Sequence, residues 1–101
     1  MNRKARAQPI VMTRLMMDHP EAARAIEQWW RVARRAEWRS LADCREIYPT
    51  ADQAGRVLIF NILGNRYRLM TVVSWAGQRI YVKALLTHNE YARNLWHKWA
   101  Y

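Results

Sequence analysis

Between residues 56 and 86 the chain reads RVLIFNI, LGN, RYRLMTVVSW, AG, QRIYVKALL. Three runs rich in β-branched and aromatic residues, separated by two short glycine-containing turns, predict a three-stranded antiparallel meander. With Ala76 and Gly77 as a two-residue loop, Trp75 faces Gln78 and Val73 faces Ile80. Extending the ladder without interruption, Met70 faces Lys83 and Arg68 faces Leu85. Strict alternation then gathers Tyr67, Leu69, Thr71, Val73, Ile80, Val82, Ala84 and Leu86 on one apolar face. The other face carries Arg66, Arg68, Met70, Tyr81 and Lys83, with Arg68 and Lys83 as diagonal neighbours within reach of one phosphate.

The first half of the chain has a different period. Residues 10–18 read as a short helix that ends near His19–Pro20. Pro20 suits the first turn of a second helix running from 20 to 38. Within it Ala22, Ala25, Ile26, Trp29 and Ala33 recur at helical spacing and form an apolar stripe. Ser40 is placed to cap a third short helix, 41–47, which stops before Pro49. YPTAD then reads as a turn, and the tail ARNLWHKWAY as a last helix. A helical half followed by a strand half makes an α+β domain, with helices packed on one face of a small twisted antiparallel sheet. At 101 residues, with no repeats or low-complexity tracts, one domain spanning 1–101 is expected.

Charge is the strongest global signal. Seventeen Lys and Arg stand against eight Asp and Glu, for a formal net charge of +9. Fourteen of those cations are arginines, whose planar forks suit phosphate and stack on bases. Such a balance points to nucleic acid or an acidic partner. A hydrophobic fraction of 51% with six Trp argues against disorder. No apolar run is long enough to span a bilayer, and MNRKARAQP leads to no small-residue cleavage site, so neither a membrane segment nor a secretory signal is expected. The single cysteine, Cys44, permits no internal disulfide, which suits a cytoplasmic location. Three His and one Cys without a carboxylate cluster make no metal pattern, so neither metal nor cofactor is expected.

The stretch LLTHNEY (85–91) brings His88 and Tyr91 to the end of the last strand. RNA can be cut without metal when the 2′-OH attacks the adjacent phosphorus. That needs a base, cations for the developing phosphorane charge, and an acid for the 5′-oxygen. Arg68 and Lys83 can supply the charge. His88 can serve as base or acid, and Tyr91 can stack on a base or pass a proton, sharing a face with His88 if a helix starts at 88. By residue type alone each also has a plainer role. His88 can be a solvated or capping residue, Arg66 and Arg68 part of a solvated sheet face, and Tyr91 a packing residue. Trp29, Trp30, Trp96 and Trp99 read as core or partner-interface residues rather than stacking platforms.

The segments HPEAARAIEQWWRVARRAEWRSLADCREIYPTAD, RVLIFNILGNRYRL and YVKALLTHNEY resemble the HigB-type toxins of type II toxin–antitoxin systems, members of the RelE superfamily. The resemblance runs from His19 to Tyr91, and FNILGNRYRL and THNEY are its most specific pieces. It implies a RelE-like fold and a ribosome-dependent mRNA endonuclease using the metal-free 2′-OH route. It also implies neutralisation by a helix-turn-helix antitoxin of the HigA kind, with operator DNA contacted only through that antitoxin. By resemblance Arg68, Lys83, His88 and Tyr91 match the family's basic and proton-handling positions. Asn65 and Arg66, and by its face Tyr81, become candidate RNA contacts. Two departures stand out. Family members often have Asp after the tyrosine, where this chain has Ala92, and the family's short first strand is hard to see in RKARAQP. A non-catalytic RNA- or ribosome-binding module, and a toxin homologue of decayed activity, are the alternatives.

Overall fold

The computed structural model describes residues 9–93, with side chains from residue 11 onward. The expected tail helix beyond Arg93, Trp96 and Trp99, and the RKARAQP segment up to residue 8, lie outside the described residues. Helix α1 spans Pro9–Asp18, a 3₁₀ turn covers Pro20–Ala22, and α2 spans Ala23–Ala33. A short α3, Leu41–Arg45, is capped by Ser40, whose side chain accepts from the Asp43 N–H. Strands β1 (Asp52–Ala54), β2 (Val57–Ile62), β3 (Tyr67–Ser74) and β4 (Arg79–Thr87) form one antiparallel sheet in the order β1-β2-β3-β4, and α4 follows at His88–Ala92. The architecture is α+β, in keeping with a RelE-like fold.

The second helix is shorter than its periodicity suggests. Ile26, Trp29 and Ala33 are buried on its inner stripe, and the next positions on that stripe would be the small Ala36 and the charged Glu37. By ending at Ala33 the chain turns Trp38 into the core instead, where it is 4% exposed. Packing thus overrides a run of good helix formers. Phe60 on β2 is the hub: Trp29 meets it edge-on at 5.3 Å, Tyr48 edge-on at 5.4 Å, and Trp38 stacks on it at 5.8 Å. Each such pair contributes about 0.5–1.5 kcal/mol beyond the area it buries. Leu58, Leu69, Val73, Ile80, Val82 and Leu85 complete this helix-facing core.

Three differences from the sequence reading matter. The sheet has four strands, because Asp52–Ala54, at the end of the expected turn, pairs with β2. The turn from β1 into β2 needs a left-handed backbone at Gly55, φ 58°, which costs glycine little. The hairpin register holds near the β3–β4 turn, where Val73 pairs with Ile80, but fails beyond it. Thr71 pairs with Val82 and Met70 with Ala84, so Lys83 is an extra residue in β4, a β-bulge. Past it, Arg68 faces Leu86 rather than Leu85, and Leu85 turns to the helices while Ala84 and Leu86 turn away. The outer face is consequently not simply cationic. Val57, Ile59, Met70 and Leu86 make a second apolar cluster there, with Ala84 and Tyr91 packed against it.

Candidate functional site

The β2–β3 turn, the start of β3 and the end of β4 meet at one corner of the sheet. Leu63, φ 54°, and Gly64, φ 64°, turn the chain in left-handed conformations and deliver Asn65, Arg66 and Arg68 within four residues. Arg68 is half-buried on the outer face, directly across from Asn61 on one side and Leu86 on the other. Its Nη1 donates to the Asn65 carbonyl at 3.0 Å and to the Tyr67 carbonyl at 3.3 Å. Its guanidinium carbon lies 5.3 Å from the centroid of the Tyr91 ring, a cation–π distance. Arginine and tyrosine, far apart in the sequence, are thus brought together.

Thr87 and Glu90 explain how Tyr91 reaches that point. The Thr87 hydroxyl accepts from the Glu90 N–H at 3.2 Å, and the Glu90 carboxylate accepts from the Thr87 N–H at 2.8 Å. This capping box stops the strand and starts α4 at His88. His88 is exposed on the first turn, and Tyr91 lies three residues on, a neighbour along the helix surface. Tyr91 anchors the helix on the outer apolar cluster. The T-x-x-E pattern needed for the box stands in the sequence as Thr87-His88-Asn89-Glu90. Ala92 closes α4 and is exposed.

The other expected residues separate into near and far. Asn65 and Arg66 are exposed in the turn; the Asn65 side chain accepts from Asn61 Nδ2 at 3.4 Å, and Arg66 lies 6.0 Å from the Tyr67 ring. Asn61, the lone polar residue of β2, is a corner residue that sequence reasoning missed. Lys83 is exposed in the bulge, level with Met70 and Thr71 and not diagonal to Arg68. Tyr81 pairs with Val72, four residues along β3 from Arg68 or roughly 13 Å, and its hydroxyl accepts from Arg79 Nη1 at 3.4 Å. It does not join the corner.

Behind the corner, on the helix side, the Tyr67 hydroxyl donates to the Glu21 carboxylate and His19 meets the Tyr67 ring edge-on at 5.1 Å. Because Tyr67 pairs with Thr87, this contact ties the turn between α1 and α2 to the strand end from which α4 springs. Among the described residues no group of three or more His, Cys, Asp or Glu is placed to hold a metal ion, and no helix is long and apolar enough to cross a membrane. The model of the HigB toxin family, RelE-like toxic components of toxin–antitoxin systems, matches residues 22–94, which takes in the whole sheet and α4. The chain belongs to that family. It is a toxin of a toxin–antitoxin system, and an antitoxin is its implied partner. No curated protein matches the chain. In this toxin the family's matched segment contains every residue of the Arg68–Tyr91 corner.

Proposed function

We propose that this toxin is a ribosome-dependent mRNA endonuclease acting in the cytoplasm, and that the corner around Arg68 and Tyr91 is where RNA is cut. The observation that carries the reading is the seating of the Arg68 guanidinium against the Tyr91 ring, with His88 exposed on the same short helix. A base stacked near Tyr91 would bring its phosphate to Arg68. His88 would take the proton of the 2′-OH or give one to the 5′-oxygen. The 2′-oxygen bonds to phosphorus, the bond to the 5′-oxygen breaks, and a cyclic phosphate and a free 5′-OH result. Arg68, and Lys83 from its bulge, would bear the charge of the phosphorane. Asn65 and Arg66 would hold the strand beside the cut, and Tyr81 farther along it. A HigA-type helix-turn-helix antitoxin would neutralise the toxin and make the contacts to operator DNA.

Induction in cells lacking the antitoxin, with mapping of mRNA 5′ ends, tests this. New ends within coding sequence and arrested growth are expected. Arg68→Ala, Lys83→Ala and His88→Ala should each restore growth while leaving the far-UV spectrum and unfolding midpoint near those of the parent. Full toxicity in all three would remove the site assignment. The exposed Ala92, where relatives often carry an acid, favours a second reading: a toxin homologue that binds RNA or the ribosome and no longer cuts. Growth arrest without new 5′ ends would select it.

A further inference from the structure

The outer side of β2 reads Val57, Ile59, Asn61. Val57 and Ile59 are buried in the outer apolar cluster, and the alternation asks for a third apolar residue after them. Asparagine is depleted in strands, because its amide competes for backbone hydrogen bonds and offers little to pack. Asn61 thus breaks a local rule where β2 meets the Arg68–Tyr91 corner, and such breaks gather at functional sites. It is half-buried and pairs directly with Arg68, which sets their Cβ atoms about 5 Å apart. Among the described residues its side chain makes one hydrogen bond, from Nδ2 to Asn65 Oδ1 at 3.4 Å, a long and weak contact. The second amide hydrogen and the carbonyl oxygen remain, a donor and an acceptor side by side.

The surroundings join that amide to the corner. Asn65, its partner, also gives its main-chain carbonyl to Arg68 Nη1 at 3.0 Å, and the Arg68 guanidinium rests against the Tyr91 ring. Because β3 lies between β2 and β4, Arg68 stands between Asn61 on one side and the strand that leads to Tyr91 on the other. The flank beside Asn61 is open. β1 pairs with β2 only from Val57 to Ile59, so among the described residues no strand runs alongside Asn61 on the side away from β3. A phosphate offers acceptors alone and would leave the Asn61 carbonyl facing an anion. The edge of a nucleobase offers donors and acceptors side by side, which an amide can match at two points. We propose that Asn61 is a specificity-determining residue: with the phosphate on Arg68 and one neighbouring base on Tyr91, the Asn61 amide reads the edge of the base on the other side of the cut. The inference rests on the reading of this corner as the place where RNA is cut.

The test is the base composition on either side of the new mRNA 5′ ends. Full-length toxin and its variants are induced in cells lacking the antitoxin, and cut positions are weighed against all positions in the same transcripts. The parent should show a preference at one flanking position, roughly tenfold for a single two-point contact. Asn61→Val sets a good strand former after Val57 and Ile59. It should keep or raise the urea midpoint, still cut, and lose that preference. Asn61→Ala, which adds no bulk, should do the same and decides the matter if valine crowds Arg68. The inference is overturned if the folded variants keep the parent's preference, or if the parent cuts with no preference at either flanking position. It is also overturned if the folded variants no longer cut, which would put Asn61 in the cutting rather than the choosing. In these three cases the parent still cuts, and the proposed function stands. A parent that makes no new 5′ ends removes the cutting reading and this inference together.

Discussion

Deleting Lys83 is the sharpest test of how the sheet is built. Lys83 has no partner in the ladder, since Val82 pairs with Thr71 and Ala84 with Met70. Removing it should therefore close the bulge and leave every other pair, and the facing of every other side chain, unchanged. The cost should be small, about 1–2 kcal/mol for the lost local twist. An uninterrupted ladder would behave very differently. Deletion would then move Ala84–Thr87 by one place and exchange their faces. Leu85 and Leu86, now 5% and 8% exposed, would leave their clusters. At about 1.5–3 kcal/mol for each buried leucine, the loss would be roughly 3–6 kcal/mol, a large share of the stability of a small domain. Urea unfolding of parent and deletion variant decides between them, with Lys83→Ala as a control for the side chain alone. A midpoint shift of about 1 M or less supports the bulge. A molten or unfolded deletion variant, beside a well-folded Lys83→Ala, would refute it.

Thr87→Ala removes the acceptor for the Glu90 N–H and should cost about 1 kcal/mol in unfolding free energy. It should also reduce toxicity by loosening His88 and Tyr91, and Thr87→Ser should restore both. Burial raises the Tyr48 hydroxyl above its ordinary pKa of 10.0. The unfolded chain therefore releases that proton first, and stability present below pH 10 is lost as pH rises through the folded value. Tyr48→Phe should flatten this alkaline loss in urea midpoints while leaving the slope at neutral pH unchanged.

Much of the fold is written in short-range patterns, and the deviations arise where distant packing decides. Ser40 as a cap, Pro20 at a helix start and the pairing of Val73 with Ile80 all follow from neighbouring residues, and the structure keeps them. The end of α2 depends on where Trp38 finds a partner, and that partner, Phe60, lies in the strand half. The bulge at Lys83 has no local mark at all. Two apolar clusters lie on opposite faces of the sheet, and one extra residue in β4 lets Leu85 serve the first and Leu86 the second. An alternation argument cannot see this, because YVKALL contains no glycine or other break. For the site, the sequence supplied residue types and the structure supplied company. Arg68 and Tyr91 meet, His88 stands on their helix, and Tyr81 stands apart with Arg79. The pairing of Glu21 with Tyr67 joins residues from opposite halves of the chain and was out of reach of any motif.

The bulge has one more consequence. Among the described residues the sheet is open at both sides, ending in β1 and β4. A long flat strand left unpaired is a template on which another chain can add its own strand, the first step toward aggregation. β1 is only three residues long and offers little to add to. β4 is nine residues long and would offer a great deal, but it carries the bulge at Lys83, which bends the strand and sets an exposed lysine there. A lysine proposed to steady a phosphate thus also guards the side of the sheet that the described residues leave open.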